Sequence, residues 1–199
     1  MKYIVAVFVI LACAFAAIVG WPWFQSHQAY KGARAYIESQ HYEGFTYAEL
    51  SVFSHLRKVP DNIRIIEGLV HLDISHTKVS DLSALSNMQS LNYINLRETN
   101  VKNVSVMATL PALSNVDMGE TPVRDLSPLA DAENLERLDI SGTHTISLEP
   151  VTRIQNLNWL NLYVAMSDDG SQVYFDELMT RGNIEIQPGN QFKENYIPR

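Results

Sequence analysis

The chain has 199 residues, 46% apolar and 19% charged, with 9 Gly, 8 Pro and a single Cys, which excludes a collagen, a disordered acidic tail and a disulfide-stapled mini-protein. Its 22 acidic against 15 basic residues leave a formal charge of −7 and no run of Lys or Arg able to track a phosphate backbone, so nucleic acid is not an expected partner. The lone Cys13 cannot close an intramolecular bridge and says nothing about redox compartment.

From Tyr3 to Tyr30 no residue carries a formal charge, and Ile4 to Gly20 is almost unbroken Val, Ile, Ala, Phe and Leu. With Trp21, Pro22, Trp23 and Phe24 added as an interfacial aromatic belt, this is long enough to cross a hydrocarbon core of about 30 Å. Residues 1–25 are therefore expected to be a signal anchor. Cleavage at Ala14-Phe15-Ala16 would leave a terminus that is still apolar, and Cys13 fits a lipobox poorly because the apolar run continues past it. Lys2 lies on one side of the span while Lys31 and Arg34 lie on the other, so charge does not set orientation. The very short head favours a single-pass protein with the bulk of the chain outside the cytoplasm. Ala29, Tyr30, Ala33, Tyr36 and Ile37 then recur at helical spacing and predict a juxtamembrane helix within 26–46.

The decisive signal is self-similarity. Leu69, Leu91, Leu113, Leu135 and Leu157 recur at an interval of 22 residues. Leu72, Ile94, Val116, Leu138 and Leu160 follow three residues later, and Ile74, Leu96, Met118, Ile140 and Leu162 two after that, giving L-x-x-L-x-L five times. Thr77, Thr99, Thr121 and Thr143 form a further column, followed by Val79, Val101 and Val123, with Ile146 in the fourth unit arriving one residue late. Alternation in L-x-L makes a short strand whose Leu side chains point inward, and successive strands stack into a parallel sheet. Ser83, Ser105 and Ser127 stand where a side-chain oxygen could cap a 3₁₀ or helical return, with Pro128 and Pro150 just inside it.

These residues resemble the leucine-rich repeat family, in particular the bacterial, internalin-like type with 22-residue units. Leu138-Asp139-Ile140-Ser141-Gly142-Thr143 and Asp125-Leu126-Ser127-Pro128-Leu129 read close to its consensus, and Thr replaces the Asn of its internal ladder. The resemblance implies an α/β solenoid with a concave parallel sheet and a convex face of 3₁₀ or helical turns over 69–168. Tyr47, Leu50, Val52, Val59, Ile63 and Ile66 suggest a degenerate unit one period upstream, an N-terminal cap over 47–68. After Asp168-Asp169-Gly170, residues 169–199 read as a C-terminal cap and tail: a short helix carrying Val173, Phe175, Leu178 and Met179, ending near Gly182, and a last edge strand at Ile184 and Ile186.

No phosphate-binding Gly loop, G-x-S-x-G elbow, H-E-x-x-H or paired-Cys spacing occurs, so no enzyme activity, cofactor or metal is expected. Asn103-Val104-Ser105 matches a glycosylation sequon, but the repeat calls for Asp or Asn there as a turn residue. His71 and Asp73 share an outward strand face but read as solvated. Outward positions form three columns. The middle one is Asp73, Asn95, Asp117, Asp139 and Asn161, either an acidic recognition stripe or a set of groups bonded to one another along the sheet. It is flanked by His71, Tyr93, Asn115, Arg137 and Trp159 on one side and by Ser75, Arg97, Gly119, Ser141 and Tyr163 on the other. Aromatic and Arg side chains on a rigid sheet are the types that dominate binding hot spots. The expected partner is a protein or peptide on the concave face, through His71, Asp73, Tyr93, Asn95, Arg97, Asp117, Arg137, Asp139, Trp159, Asn161 and Tyr163. The alternative is a cell-envelope glycan, a lipid headgroup or a cation. The sequence sets no oligomeric state.

Overall fold

A computed structural model describes residues 21–41, 44–163 and 171–187. The span expected over residues 1–25 lies outside these except for its last residues, and so do Cys13 and the tail beyond 187. Among the described residues no helix is long and apolar enough to cross a membrane. Trp21 to Gln25 form the beginning of helix α1 (Trp21–His41).

Seven three-residue strands, β1 (Tyr47–Glu49), β2 (His71–Asp73), β3 (Tyr93–Asn95), β4 (Asn115–Asp117), β5 (Arg137–Asp139), β6 (Trp159–Asn161) and β7 (Glu185–Gln187), lie side by side in chain order in one sheet. Every pairing is parallel and in register, so residues one period apart become lateral neighbours. The middle residues Ala48, Leu72, Ile94, Val116, Leu138 and Leu160 are buried, as the alternation requires. Each chain then returns through a short turn: 3₁₀ segments at Asp61–Ile65, Ser83–Leu85, Ser105–Thr109 and Ser127–Leu129, and a single α-turn α2 (Glu149–Thr152). One continuous apolar core runs from Ala33 of α1 to Leu178 near the other end.

The strands are short because the ladder continues beyond them. His76, Glu98, Glu120 and Gly142 adopt positive φ between 55° and 66° at one position of successive units. Their N–H groups donate to the carbonyls of Arg97, Gly119, Ser141 and Tyr163 at 2.7–3.0 Å. Three of the four are not glycine and hold the left-handed conformation at a cost of about 1 kcal/mol or more each, which the inter-unit bond offsets.

The Thr column is buried, and Thr77, Thr121 and Thr143 each donate to a carbonyl three residues back, on Ile74, Met118 and Ile140, at 2.6–2.7 Å. The Oγ1 of Thr99 is buried with no hydrogen-bond partner. Capping differs from the sequence expectation. The hydroxyls of Ser83, Ser105 and Ser127 do not cap the turns. Their backbone N–H groups donate instead to Asp81, Asn103 and Asp125 two residues earlier, at 2.8–2.9 Å. A short side chain at that place folds back on the backbone and starts the turn, which also accounts for Asn103. The fourth unit does not slip: Thr145 takes the inward place of Val79, Val101 and Val123, and Ile146 is 55% exposed.

Both ends are covered. Upstream, β1 pairs with β2 so that Ala48 lies opposite Leu72, while Leu50 is buried and Val52 is 69% exposed. The loop between strand and turn is two residues longer in this unit than in the next, which displaces the expected phase. Helix α1 lies against the Asp61–Ile65 turn with Ala33 and Ile37 buried. Gly32 admits the Phe53 ring, whose Cε1 would stand 2.8 Å from a Cβ there, and the Asn62 amide donates to the Arg34 carbonyl at 3.1 Å. At the other end, helix α3 (Ser171–Thr180) buries Phe175 and Leu178 and packs beside α2.

Leu138→Asp should abolish cooperative thermal unfolding, a loss above about 4 kcal/mol, because the carboxylate enters an apolar stack without a partner. Ile146→Asp should shift stability by less than about 0.5 kcal/mol. Thr121→Val should cost about 1 kcal/mol and Thr99→Val nothing, since only Thr121 loses a bond. Chemical denaturation measures all four, and equal effects at positions 138 and 146 would refute the inward and outward assignment.

Candidate functional site

The concave face is built from the two outward residues of each strand and the residue two places beyond, so register sets its neighbours. In the first column Tyr47, His71, Tyr93, Asn115, Arg137, Trp159 and Glu185 lie in succession across the sheet. The His71 ring stacks on Tyr93 at 4.4 Å between centroids, and Tyr47 lies 5.6 Å beyond it. The Arg137 guanidinium sits 4.5 Å from the centre of the Trp159 ring. One aromatic stack therefore occupies the N-terminal half of the sheet and one cation–π pair the C-terminal half.

The middle column is engaged internally. In every unit from β2 to β6 the Oδ1 of the Asp or Asn accepts the backbone N–H two residues on, from Ser75, Arg97, Gly119, Ser141 and Tyr163, at 2.8–3.0 Å. Asn95 donates its amide to Asp73 at 3.1 Å, and Asn161 to Asp139 at 3.0 Å. These carboxylates and amides terminate strands and link units. The column is thus the laterally bonded arrangement rather than a free acidic stripe.

Asp117 and Asp139 are adjacent and of like charge, and Arg97 settles the conflict. Its Nη1 lies 3.4 Å from Asp117 and 3.9 Å from Asp139, and it donates to Ser141 Oγ at 3.2 Å. The guanidinium crosses directly over Gly119, where any Cβ would collide with it. Ser141 is buried beneath this bridge, and Ser75 is buried against Asp73, whose Oδ1 accepts its hydroxyl at 2.7 Å. Both had been expected to face outward, and neither is available at the surface. Burial raises the Asp117 carboxyl above its ordinary value, and Asp139 adds to the effect against the opposing pull of the Gly119 N–H and Arg97. Burial likewise raises the Tyr93 phenol, with Asp117 and Asp73 contributing.

All eleven expected positions thus fall on one face. His71 and Tyr93 are joined in the stack, Arg137 and Trp159 in the cation–π pair, and Asp73, Asn95, Arg97, Asp117, Asp139 and Asn161 in the internal network. Tyr163 is 50% exposed at the strand exit of the last complete unit. Tyr47, expected among the apolar residues of the N-terminal cap, is instead 41% exposed and belongs to the aromatic stack, because the longer first loop shifts its period. Gly119 and Ser141 matter through Arg97, and only the missing side chain at 119 could have signalled it. Among the described residues no His, Cys, Asp and Glu side chains form a group able to hold a metal ion.

No family profile and no curated protein matches the chain. Solved structures do. An internalin C2 of Listeria monocytogenes superposes with a TM-score of 0.55 at 24% identity, over 63% of this chain and 54% of that one. An internalin F of the same species gives 0.58 at 16% identity over 72% and 46%, and a leucine-rich repeat protein of Leptospira interrogans 0.58 at 16% over 66% and 34%. The fold is that of a leucine-rich repeat solenoid with internalin-like units, and the chain spans about half or less of the length of these three structures.

Asp139→Ala should cost about 1–3 kcal/mol, because it leaves the Ser141 N–H and the Asn161 amide without an acceptor. Asp117→Asn, which keeps the acceptor for the Gly119 N–H, should cost less than Asp117→Ala. Asp117 has a raised folded-state pKa, so its charge opposes folding at neutral pH and this penalty disappears as pH falls through that pKa. Asp81 and Asp125 are lowered by their bonds to Ser83 and Ser127 and act in the opposite sense, contributing stability that is lost on acidification. Denaturation of parent and Asp117→Asn from neutral to acid pH should therefore show the parent gaining stability relative to the variant as pH falls, and a constant difference would contradict the buried-carboxylate assignment.

Proposed function

We propose that this is a non-enzymatic, membrane-anchored leucine-rich repeat protein that holds a protein or peptide partner on its concave face, with the bulk of the chain outside the cytoplasm. The observation that carries the reading is the division of labour on that face. The acidic column is consumed by bonds within the sheet, whereas the first column keeps planar aromatic and guanidinium groups at its surface. Large rigid side chains fixed on a sheet lose little conformational freedom on contact, and Tyr, Trp and Arg are the residues that most often dominate binding energy. A cation site in the acidic column is disfavoured for the same reason: its oxygens already accept hydrogen bonds. The uncharged N-terminal stretch supports the anchorage.

The test is site-specific photocrosslinking in the source cells, with a photoreactive phenylalanine analogue placed in the full-length chain at Tyr93, Trp159 or Tyr163, or on the convex side at Ser86 or Gln89. The concave positions should yield a common adduct of one mass and the convex ones none. Trp159→Ala combined with Tyr163→Ala should weaken capture of that partner tenfold or more, about 1.4 kcal/mol, without altering the fold. Adducts from the convex positions alone would overturn the concave assignment.

A further inference from the structure

The protein as a whole is acidic, but the flank where α1 begins is not. Arg57, Lys58 and Lys78 are exposed there beside His55, and among the described residues neither Arg57 nor Lys78 has an ion-pair partner. A groove of about 400 Å³ is lined by Pro22, Gln25, His55, Arg57, Lys78 and neighbouring polar residues. A smaller one of about 200 Å³ adjoins it, with Arg57 as the common wall and Trp23, His27, Tyr30 and Lys58 around it. Lys58 lies 5.2 Å from the centre of the Tyr30 ring and 3.4 Å from Asp61, so part of its charge is shared. The nearby Asp81 is turned to the Ser83 N–H, and no carboxylate lines either groove.

On the same end of α1, Trp21, Trp23 and Phe24 are 61%, 66% and 49% exposed. Trp21 and Phe24 lie 6.4 Å apart, and Trp23 stacks on His27 at 5.2 Å. Amphipathic aromatic rings settle at the headgroup level of a bilayer, and cations beside them are drawn to the negative surface of anionic lipids within a Debye length. The sequence preceding this cluster carries no formal charge after Lys2. We propose that the α1 end, through Trp21, Trp23, Phe24, Arg57 and Lys78, is a second interaction surface that seats the domain on an anionic phospholipid membrane, with headgroup phosphates in the Arg57–Lys78 groove. This rests on the anchored reading above and adds to it a fixed attitude of the solenoid on the bilayer.

The test uses the full-length chain with Cys13→Ala and a single thiol at Ser80→Cys, on the groove, or at Gln89→Cys, on the convex side. Each is placed in nanodiscs of phosphatidylcholine alone or of an equimolar mixture with phosphatidylglycerol, and labelled with a membrane-impermeant maleimide. Labelling at position 80 should slow severalfold in the mixed lipid while position 89 is unchanged. Salt of about 0.5 M, or Arg57→Gln with Lys78→Gln, should restore the rate. Equal rates at position 80 in the two lipids would overturn the proposal. Carbonate extraction of the parent chain from vesicles of the same lipids reports on the anchor separately. A chain that is released by carbonate but still protected at position 80 would refute the anchor and keep the membrane-seating surface.

Discussion

Parallel, in-register pairing of strands only three residues long is the constraint on which the structure depends. Three residues cannot bury enough side chain or make enough hydrogen bonds to be stable as one hairpin-sized element, and no unit has a hydrophobic core of its own. Everything that repeats every 22 residues exists to continue the ladder or fill the space behind it. The inward Leu, Ile and Val residues fill it, and the hydroxyls of Thr77, Thr121 and Thr143 hold the chain as it leaves. The left-handed residues at 76, 98, 120 and 142 extend the bonding one step past the strand.

The same register creates the difficulty that shapes the concave face. Whatever side chain serves as a strand terminator in one unit meets its counterpart in the next, one strand spacing away. Asp is a good terminator because its oxygen accepts the N–H two residues on, but a column of Asp would repel itself. The chain alternates Asp with Asn at 73, 95, 139 and 161, so that an amide donor faces each carboxylate. Where Asp117 and Asp139 are left adjacent, it brings in Arg97 from the unit before Asp117. The side chains left outside this network lie mainly in the first column, in the aromatic stack and the Arg137–Trp159 pair.

Much of this was legible in the sequence because it is periodic. Strands β2 to β6, their inward faces, the first two outward columns and the C-terminal helix follow from spacing and alternation, whereas the third column does not stay outward, since Ser75 and Ser141 are buried. The parts that were not legible are those where one unit departs from the others. Tyr47 is displaced by a two-residue longer loop, so the period that identifies every later strand misplaces the first. Ile146 looks like a late core residue because Thr145, polar by type, fills the inward place. Ser83, Ser105 and Ser127 carry the expected residue type for a cap, yet the oxygen that does the work belongs to the residue two places before. The Arg97 bridge spans 44 residues of sequence to Ser141, and its sole local sign is the absence of a side chain at Gly119.

A solenoid must also end, and the two ends solve this differently. The C-terminal end extends the sheet by β7 and lays α3 over the last turn, burying Phe175 and Leu178. The N-terminal end uses α1, which buries Ala33 and Ile37, packs Ala29, Tyr30 and Tyr36 against the core, and makes room for Phe53 at Gly32. Nearer Trp21 the helix runs along the grooves it shares with Arg57 and Lys78 and leaves Trp21, Trp23 and Phe24 exposed. Covering the core requires the buried residues of α1 and not the exposed rings of Trp21, Trp23 and Phe24. The two ends thus differ in kind: the C-terminal cap closes the core with Phe175 and Leu178, whereas α1 joins buried Ala33 and Ile37 to a cluster of exposed aromatic rings beside the cations Arg57 and Lys78.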